Sequence, residues 1–252
     1  MTLSPTHQSP HDVSAGRLPP TDVTQRCSGM MIARRSASDS QHQEIVMITV
    51  HHLNNSRSQR VLWLLEELNV PYDLEIHQRD AVTNLAPPSL IAKHPLGKSP
   101  MIDVDGRIIT ESGAIVEYLC AKYGTQLVPA KDTDAYISHL ELIHFAEGSA
   151  MTPILLNLYV SKLGEAAAPL TPRITHQLKS HFEYMEDILR PSGHFVQDEL
   201  SAADIMLSFP AEIAIRQGFG DKLPKLAAFV AHIQSRPAYQ RAIEKGGDYA
   251  FA

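Results

Sequence analysis

This 252-residue sequence has little cysteine, no excess of basic residues and no long apolar run. The only two cysteines, Cys27 and Cys120, are far apart in the chain, which excludes a disulfide framework and a thiolate metal site and fits a reducing compartment. There are 22 Lys and Arg against 28 Asp and Glu, a net charge of −6, so neither nucleic acid nor an acidic membrane surface is an expected partner. No run approaches the roughly 20 apolar residues of a membrane span.

Residues 1–46 differ in composition from the rest of the chain. They carry four basic and four acidic residues, are rich in Ser, Thr, Gln, His and Pro, and show no amphipathic period, which predicts a disordered leader. The first ten residues lack the features of a secretory signal, and the four acidic residues argue against an organelle transit peptide. We therefore expect a soluble cytoplasmic protein. Because folded patterning begins at Met47, we also expect Met47 to be the true start.

Residues 47–126 predict a small α/β domain. Helix-like and strand-like periods alternate in the order βαβαββα, which combines a parallel crossover with an antiparallel hairpin. The dipeptide Asp105-Gly106 between two β-rich runs is a strong hairpin signal. The predicted strands are Met47–Leu53, Tyr72–Ile76, Met101–Val104 and Arg107–Thr110, and the predicted helices are Ser58–Leu68, Ser89–Lys93 and Glu111–Tyr123.

Residues 132–250 predict an all-helical second domain. A long helix should be kinked at Pro153, because proline lacks the backbone N–H and clashes with the preceding turn. Thr171 is predicted as an N-cap before Pro172, and Ser201 with Asp204 forms a capping box of purely structural value. The predicted helices are Asp134–Leu163, Thr171–Arg190, Ile205–Arg216, Leu223–Ser235 and Pro237–Lys245.

Residues 54–57 form a polar turn between the first strand and the first helix. Ligands bind at this edge of an α/β domain, because helix N-termini there present free N–H groups and a partial positive charge. The Ser56 hydroxyl is suited to donate a hydrogen bond to an anion such as a thiolate. The alternative is that Ser56 or Ser58 only caps the helix.

Two further motifs lie where other elements begin. Pro100 enters a strand after a loop and is a candidate cis proline, which would leave the Ser99 backbone free to pair with an extended peptide. Glu111 and Ser112 begin a helix, whose N-terminus favours a ligand carboxylate, and a buried acid beside them could hold an ammonium group. The alternatives are an ordinary trans proline and a simple helix cap.

In their joint order, followed by an all-helical region, these motifs resemble the glutathione S-transferase family. The resemblance extends from Met47 to Gly247 and is closest to the bacterial and fungal serine-type branch, whose first helix reads like residues 56–68 here. It implies a thioredoxin-like first domain with a mixed sheet, an all-α second domain and a homodimer.

The resemblance also implies how glutathione is bound. Ser99, beside a cis Pro100, pairs with the cysteinyl part, and Glu111 with Ser112 binds the γ-glutamyl ammonium and carboxylate. Further residues correspond to family positions near the glycyl end: Lys98 first, with Lys93 and His94 as weaker candidates.

Ser56 aligns with the family serine that activates the thiol. A free thiol titrates near about pH 8.5, and only the thiolate is nucleophilic. A Ser56 hydrogen bond would lower the thiol pKa, and the thiolate would then attack a hydrophobic electrophile. No metal and no cofactor are expected, since glutathione is the cosubstrate. Asn55 is the alternative thiolate donor.

The turn departs from other branches of the family, because it contains neither Tyr nor Cys. Alternative functions are glutathione-dependent reduction of hydroperoxides or disulfides, and a non-enzymatic glutathione-transferase-like interaction protein. The missing Cys-x-x-Cys motif argues against a thioredoxin-type oxidoreductase.

The 13 histidines predict no metal site. His51 and His52 are adjacent on a strand and face opposite sides. Residues in the long helix are candidates to line the electrophile pocket, with core packing as the alternative: Phe145, Met151 and Tyr159.

Overall fold

The first part of the described chain is a four-stranded mixed sheet with three helices. The structure, a computed structural model, describes residues 47–252, so the predicted leader lies outside the described residues. The elements are β1 (Ile48–Leu53), α1 (Ser58–Leu68), β2 (Asp73–His77), α2 (Pro88–Lys93), β3 (Met101–Val104), β4 (Arg107–Thr110) and α3 (Ser112–Tyr123). This order confirms the predicted βαβαββα domain.

The strand order in the sheet is β2-β1-β3-β4. β1 runs parallel to β2 and antiparallel to β3, and β3 forms a hairpin with β4. The hairpin turn has positive φ at both Asp105 (51°) and Gly106 (86°), as a two-residue type I′ turn requires.

The two faces of this sheet pack against different partners, because successive strand side chains point in opposite directions. The core face carries Ile48, Val50 and His52 of β1 and belongs to the large hydrophobic core with α1 and α3. The α2 face carries His51 and Leu53, and its small apolar cluster consists of Leu53, Leu90 and Met101.

The second part is helical. Its elements are α4 (Asp134–Phe145), α5 (Met151–Val160), α6 (Thr171–Ile188), α7 (Ala202–Ala214), α8 (Pro224–Gln234) and α9 (Pro237–Gly246), with short 3₁₀ or π segments between some of them. The large core runs without a break from the sheet into these helices, so the predicted division at residues 126–132 stays a prediction. Within residues 47–252, no helix has the length and apolar character to cross a membrane.

The predicted helix Asp134–Leu163 is two helices joined by a π turn, Ala146–Ala150. Pro153 lies in the first turn of α5, and its ring would clash with the carbonyl of Ser149, four residues earlier, in a regular helix. The wide turn therefore precedes the proline rather than following it.

The two predicted N-caps have different outcomes. At the start of α6, Leu170 occupies the N-cap position, and the Thr171 hydroxyl instead donates to the Ala167 carbonyl at 3.0 Å, so the Thr171 cap was wrong. The capping box of Ser201 and Asp204 at the start of α7 is confirmed, with both reciprocal hydrogen bonds present.

Helix α9 closes against α1 through charged side chains. Glu66 of α1 accepts hydrogen bonds from Arg241 at 2.8 Å and from Lys245. Glu67, the next residue, pairs with Arg236 at 2.6 Å. These pairs hold the carboxyl-terminal helix against the helix that follows the polar turn.

Candidate functional site

Ser56 lies in a buried group of hydroxyls at the turn between β1 and α1. Its side-chain oxygen lies 2.8 Å from that of Ser58 and accepts a hydrogen bond from the Ser58 backbone N–H at 3.2 Å. Ser58 in turn lies 2.9 Å from His52 Nδ1. Burial lowers the pKa of His52 to about 4, so the ring is neutral at pH 7 and can accept the Ser58 proton. Among the described residues, the acceptors left for Ser56 are then neutral hydroxyls.

Ser99 and Pro100 meet this turn from the start of β3. The Ser99-Pro100 peptide is cis, as the sequence predicted. The Ser99 hydroxyl donates to the His51 carbonyl at 3.0 Å, and its oxygen lies 3.5 Å from the Ser56 hydroxyl oxygen. Two residues 43 positions apart in sequence, each singled out for a ligand role, therefore lie side by side.

Glu111 and Ser112 occupy the start of α3. Glu111 is exposed and has φ +69°, a conformation that non-glycine residues seldom adopt and that costs about 1–3 kcal/mol. Such strain persists where the surrounding structure enforces it, and it is concentrated at functional sites. Ser112 is 4% exposed, and its hydroxyl accepts a hydrogen bond from Arg60 at 3.0 Å.

Arg60 connects this site to the helical part of the molecule. Its guanidinium is buried and donates to Ser112, to the Met206 carbonyl at 2.7 Å and to Glu147 in the π turn. Glu147 also pairs with Arg57 at 2.7 Å. Burial by itself would raise the pKa of Glu147, but attraction to the two arginines outweighs it and lowers the pKa.

The Arg60–Glu147 pair is not predictable from the sequence pattern. The two residues are 87 positions apart, and nothing in the local pattern of α1 distinguishes Arg60 from a solvent-facing polar residue. The π turn brings Glu147 to the arginine, and sequence periodicity does not predict that turn.

Asn55, the alternative thiolate donor, is held by the carboxyl-terminal segment. It adopts a left-handed conformation with φ 51°, and its side-chain oxygen accepts a hydrogen bond from the Ala250 N–H at 2.7 Å. The neighbouring Asn54 accepts from the Arg79 N–H at 2.9 Å. Both asparagine carbonyl oxygens therefore have partners that fix the shape of the turn.

The residues predicted for the glycyl end differ in their environments. Lys98 is exposed. His94 is half-buried, and its Nδ1 accepts a hydrogen bond from the Leu96 N–H at 3.4 Å. Lys93 is bound to Glu75 at 2.8 Å. Lys98 is thus the cation with the most freedom to reach a ligand carboxylate.

The three candidates for the electrophile pocket are spread over different surroundings. Met151 is 2% exposed and packs in the large core. Phe145 stacks on His181 and lines a groove between α4 and α6. Tyr159 is 59% exposed on α5.

One group of side chains in the described part of the chain has the donor set of a metal site. His51, Glu75 and His77 converge on the α2 face of the sheet. The histidine spacing in the sequence does not predict this group, because the pairing of β1 with β2 creates it.

Comparisons with known proteins agree with this geometry. Family models described as the N-terminal and C-terminal domains of glutathione S-transferase match residues 50–127 and 150–245. Glutathione S-transferase 3 of Schizosaccharomyces pombe is 34% identical over 218 residues, which cover 80% of this chain and 89% of that protein. The chain belongs to the glutathione S-transferase family.

Other members of the glutathione S-transferase family give the same result. Glutathione S-transferase 1 of Saccharomyces cerevisiae is 30% identical over 223 residues, covering 79% of this chain and 95% of that protein. A glutathione S-transferase crystal structure from Actinobacillus pleuropneumoniae aligns with a TM-score of 0.74 and 33% identity, over 81% of this chain and 94% of that one. The predicted family, fold and transferase function are confirmed, while the serine-type branch and the role of each site residue stay predictions.

Proposed function

We propose that this transferase uses Ser56 to hold the sulfur of glutathione as a thiolate for attack on a hydrophobic electrophile. The observation that carries the proposal is the 3.5 Å distance between the side-chain oxygens of Ser56 and Ser99. Ser99 is the residue assigned to pair with the cysteinyl part of glutathione, so the sulfur would lie beside Ser56. The reaction needs no resident cofactor.

The hydroxyl chain explains why Ser56 would donate to the sulfur. Within residues 47–252, the acceptors in reach of the Ser56 proton are the neutral oxygens of Ser58 at 2.8 Å and Ser99 at 3.5 Å. A thiolate is a stronger acceptor, because a hydrogen bond to a charged group is roughly twice as strong as one between neutral groups. Ser58 remains bonded to the neutral ring of His52, so the rearrangement requires no buried charge.

The start of α1 adds a second favourable contribution. Ser56 and Arg57 precede the first turn of this helix, where free N–H groups and the helix dipole favour a negative charge. Both effects stabilise the thiolate over the thiol and lower the thiol pKa below about 8.5. The fraction of reactive thiolate at pH 7 rises accordingly.

The γ-glutamyl end would bind at the start of α3. Glu111 offers an exposed carboxylate to the ammonium group, and the N-terminus of the 12-residue α3 favours the α-carboxylate beside Ser112. The hydrogen bond from Arg60 fixes the position of the Ser112 hydroxyl. Lys98 is the proposed partner of the glycyl carboxylate.

We extend the proposal to assembly and location. Several large apolar side chains of the segment between β2 and β3 are exposed, which supports a homodimer that buries them: Val82, Leu85, Ile91 and Leu96. Sedimentation velocity of the wild type would show a monomer if the homodimer proposal is incorrect.

A cytoplasmic location fits the reducing conditions that keep glutathione in its thiol form.

The test compares Ser56→Ala with Asn55→Ala, using chlorodinitrobenzene as the electrophile. We expect Ser56→Ala to lower kcat/KM about 100-fold, the usual effect of removing one hydrogen bond to a developing or stabilised anion. The pKa of the bound thiol, followed by thiolate ultraviolet absorbance, should rise towards about 8.5. Asn55→Ala should keep the low thiol pKa, because the proposal assigns the hydrogen bond to the thiolate to Ser56, while the Asn55 oxygen only accepts from the Ala250 N–H.

Calorimetric titration with glutathione separates binding from activation. Ser56→Ala should bind glutathione nearly as well as the wild type, since the γ-glutamyl contacts at Glu111 and Ser112 are unchanged. A normal thiol pKa and rate in Ser56→Ala would exclude Ser56 as the donor. Absence of binding to the wild type at millimolar glutathione would overturn the proposed function itself.

A further inference from the structure

A second polar site lies on the α2 face of the sheet, and we call it the His–Glu–His cluster: His51, Glu75 and His77. Its donor atoms are His51 Nδ1, His77 Nε2 and the two carboxylate oxygens of Glu75. The two ring nitrogens lie 3.4 Å apart. One Glu75 oxygen lies 3.4 Å from His51 Nδ1, and the other lies 3.5 Å from His77 Nε2.

The 3.4 Å separation of the two ring nitrogens matches one edge of a zinc coordination tetrahedron, and each nitrogen lies at a similar distance from one of the two Glu75 oxygens. With Zn–N bonds of about 2.0–2.1 Å, the edge between two tetrahedral ligands is about 3.3–3.4 Å. Two imidazole nitrogens and one carboxylate form the donor set of known catalytic zinc sites, which leave the fourth position open. The donors therefore need little movement to accept an ion.

Strand pairing, rather than a flexible loop, creates this arrangement. In the parallel register of β1 and β2, His51 lies opposite Glu75, and His77 follows Glu75 by two residues on the same face. Both histidine side chains are 2% exposed, so the surrounding protein restricts their rotation. A site built on strands has a more precise geometry than one built on loops.

The contacts around the cluster orient its ligands. Ser89 of α2 lies 3.0 Å from His77 Nδ1, which leaves Nε2 directed at the other two donors. Metal-binding histidines normally use their second nitrogen in this way. His51 differs, because its Nε2 is buried and has no hydrogen-bond partner among the described residues, so the packing around the ring orients it instead.

We propose that the His–Glu–His cluster binds a divalent transition metal of the Zn²⁺ class. His51, Glu75 and His77 are its protein ligands, and a fourth position faces solvent beside Glu75, whose side chain is 40% exposed. Two imidazole ligands favour Zn²⁺, Co²⁺ or Ni²⁺ over Mg²⁺ and Ca²⁺. The site is separate from thiol activation, because its side chains project from the sheet face opposite to His52 and Ser58.

Lys93 provides an internal check on the proposal. Its ammonium lies 2.8 Å from a Glu75 oxygen, so it neutralises the carboxylate when no metal is bound. The Lys93 side chain is 39% exposed, so it has room to move towards solvent. A metal ion would displace this ammonium towards solvent. Removal of the Lys93 charge should therefore strengthen metal binding, which a purely structural ion pair does not predict.

The test uses the full 252-residue chain without a histidine tag, stripped with a chelator and titrated with ZnCl₂ in a calorimeter. Residues 1–46 contain His and Cys residues of their own, and these are the same in every variant compared. The variants are His77→Asn and the isosteric, half-exposed Glu75→Gln. His176→Asn, at an exposed position on α6, is the matched control.

We expect the wild type and His176→Asn to bind one zinc ion with equal affinity at this site. Loss of an outer partner of a zinc ligand typically weakens metal binding about 10–100-fold, so Ser89→Ala should fall in that range and loss of a ligand should exceed it. Lys93→Met should bind more tightly than the wild type. Co²⁺ should give the strong visible absorption of a tetrahedral complex, and Mg²⁺ should give no heat of binding.

Equal zinc affinity in the wild type, His77→Asn and Glu75→Gln would overturn the proposal. A weak, octahedral-type Co²⁺ spectrum in the wild type would do the same. Far-ultraviolet circular dichroism of each variant in chelator checks that it is folded, and Glu75→Gln keeps the test decisive if His77→Asn does not fold.

Discussion

His51 and His52 are neighbours on β1, yet they occupy two different chemical environments. On the core face, His52 is surrounded by the large apolar core, bonds Ser58 at 2.9 Å, and has its pKa lowered to about 4 by burial. On the α2 face, His51 lies within 3.4 Å of both Glu75 and another imidazole. Strand alternation alone separates the two rings.

The two faces of the sheet differ in the charged and polar groups that they can hold. The core face packs against α1 and α3 and continues into the helical part, so its polar groups must be fully paired or uncharged. The α2 face has a small apolar cluster and stays open to solvent at Glu75, so a charged group can remain there. The proposed metal site therefore lies on the face that can hold a charge, while the neutral His52–Ser58 pair next to Ser56 lies on the face that cannot.

The largest expected effect is the difference in unfolding free energy lost when a paired cation is replaced on one side of the sheet or on the other. Arg60→Met leaves Glu147 with one arginine and Ser112 without its donor, and we expect a loss of about 3–5 kcal/mol in unfolding free energy. Lys93→Met breaks a half-exposed pair and should cost no more than about 1 kcal/mol. Urea unfolding measures both.

Arg216→Met, at an exposed position after α7, is the control for loss of an arginine. Equal losses for Arg60→Met and Lys93→Met would contradict the distinction between the two sides.

The next effect concerns pH, because two buried groups of the core have pKa shifts in opposite directions. The pKa of His52 falls from 6.5 to about 4, so its contribution to stability is present above pH 6.5 and is lost as the pH falls towards 4. Burial raises the pKa of Glu212 from 4.5 to about 7, although Tyr239 and Tyr249 donate to it. Its contribution is present below pH 4.5 and is lost as the pH rises towards 7.

Between pH 4.5 and 6.5 the contributions of His52 and Glu212 offset each other in the wild type. In Glu212→Gln, the unfolding free energy should rise with pH by up to about 1.4 kcal/mol per unit more than in the wild type. In His52→Gln it should fall with pH by a similar amount relative to the wild type. Urea unfolding at three pH values measures the slopes, and parallel profiles for all three proteins would contradict the assignment.

The smallest expected effect comes from a substitution at Gly246, where α9 packs closely against the core face of the sheet. A Cβ atom at Gly246 would lie 3.0 Å from Leu62 Cδ1 and 3.3 Å from His52 Nε2. Gly246→Ala should therefore lower the unfolding temperature and cost about 1–3 kcal/mol through overpacking.

Gly148→Ala is the matched control, because a Cβ atom at Gly148 meets no atom of the described chain within 4 Å. It should change stability by no more than about 1 kcal/mol, in the stabilising direction. A loss in Gly148→Ala as large as that in Gly246→Ala would show that the effect is not one of packing.

Most of the fold could be predicted from local sequence patterns. The bounds of α1, β3 and β4 agree with the predicted ones, because helical spacing and the Asp105-Gly106 turn are signals carried by adjacent residues. The interruption of the long helix was misplaced, since a π turn is one of several ways to accommodate Pro153. The Thr171 cap was wrong because Thr171 bonds Ala167 instead.

Only part of the candidate site could be predicted, because sequence patterns record interactions between residues that are close in the chain. Ser56, Ser99, Glu111 and Ser112 stand at starts of elements, which sequence patterns locate well. Arg60 and Glu147 contact each other across 87 residues, and no local pattern records such a pair.

The sequence by itself determined the order of elements, the hairpin, the family and the motifs at which glutathione is expected to bind. These depend on interactions between residues close in the chain, or on motifs whose order is specific. Only the tertiary structure brought Ser56 to within 3.5 Å of Ser99 and joined Arg60 to Glu147. It also assembled the His–Glu–His cluster, because the register of two parallel strands is decided by the packing of the whole sheet.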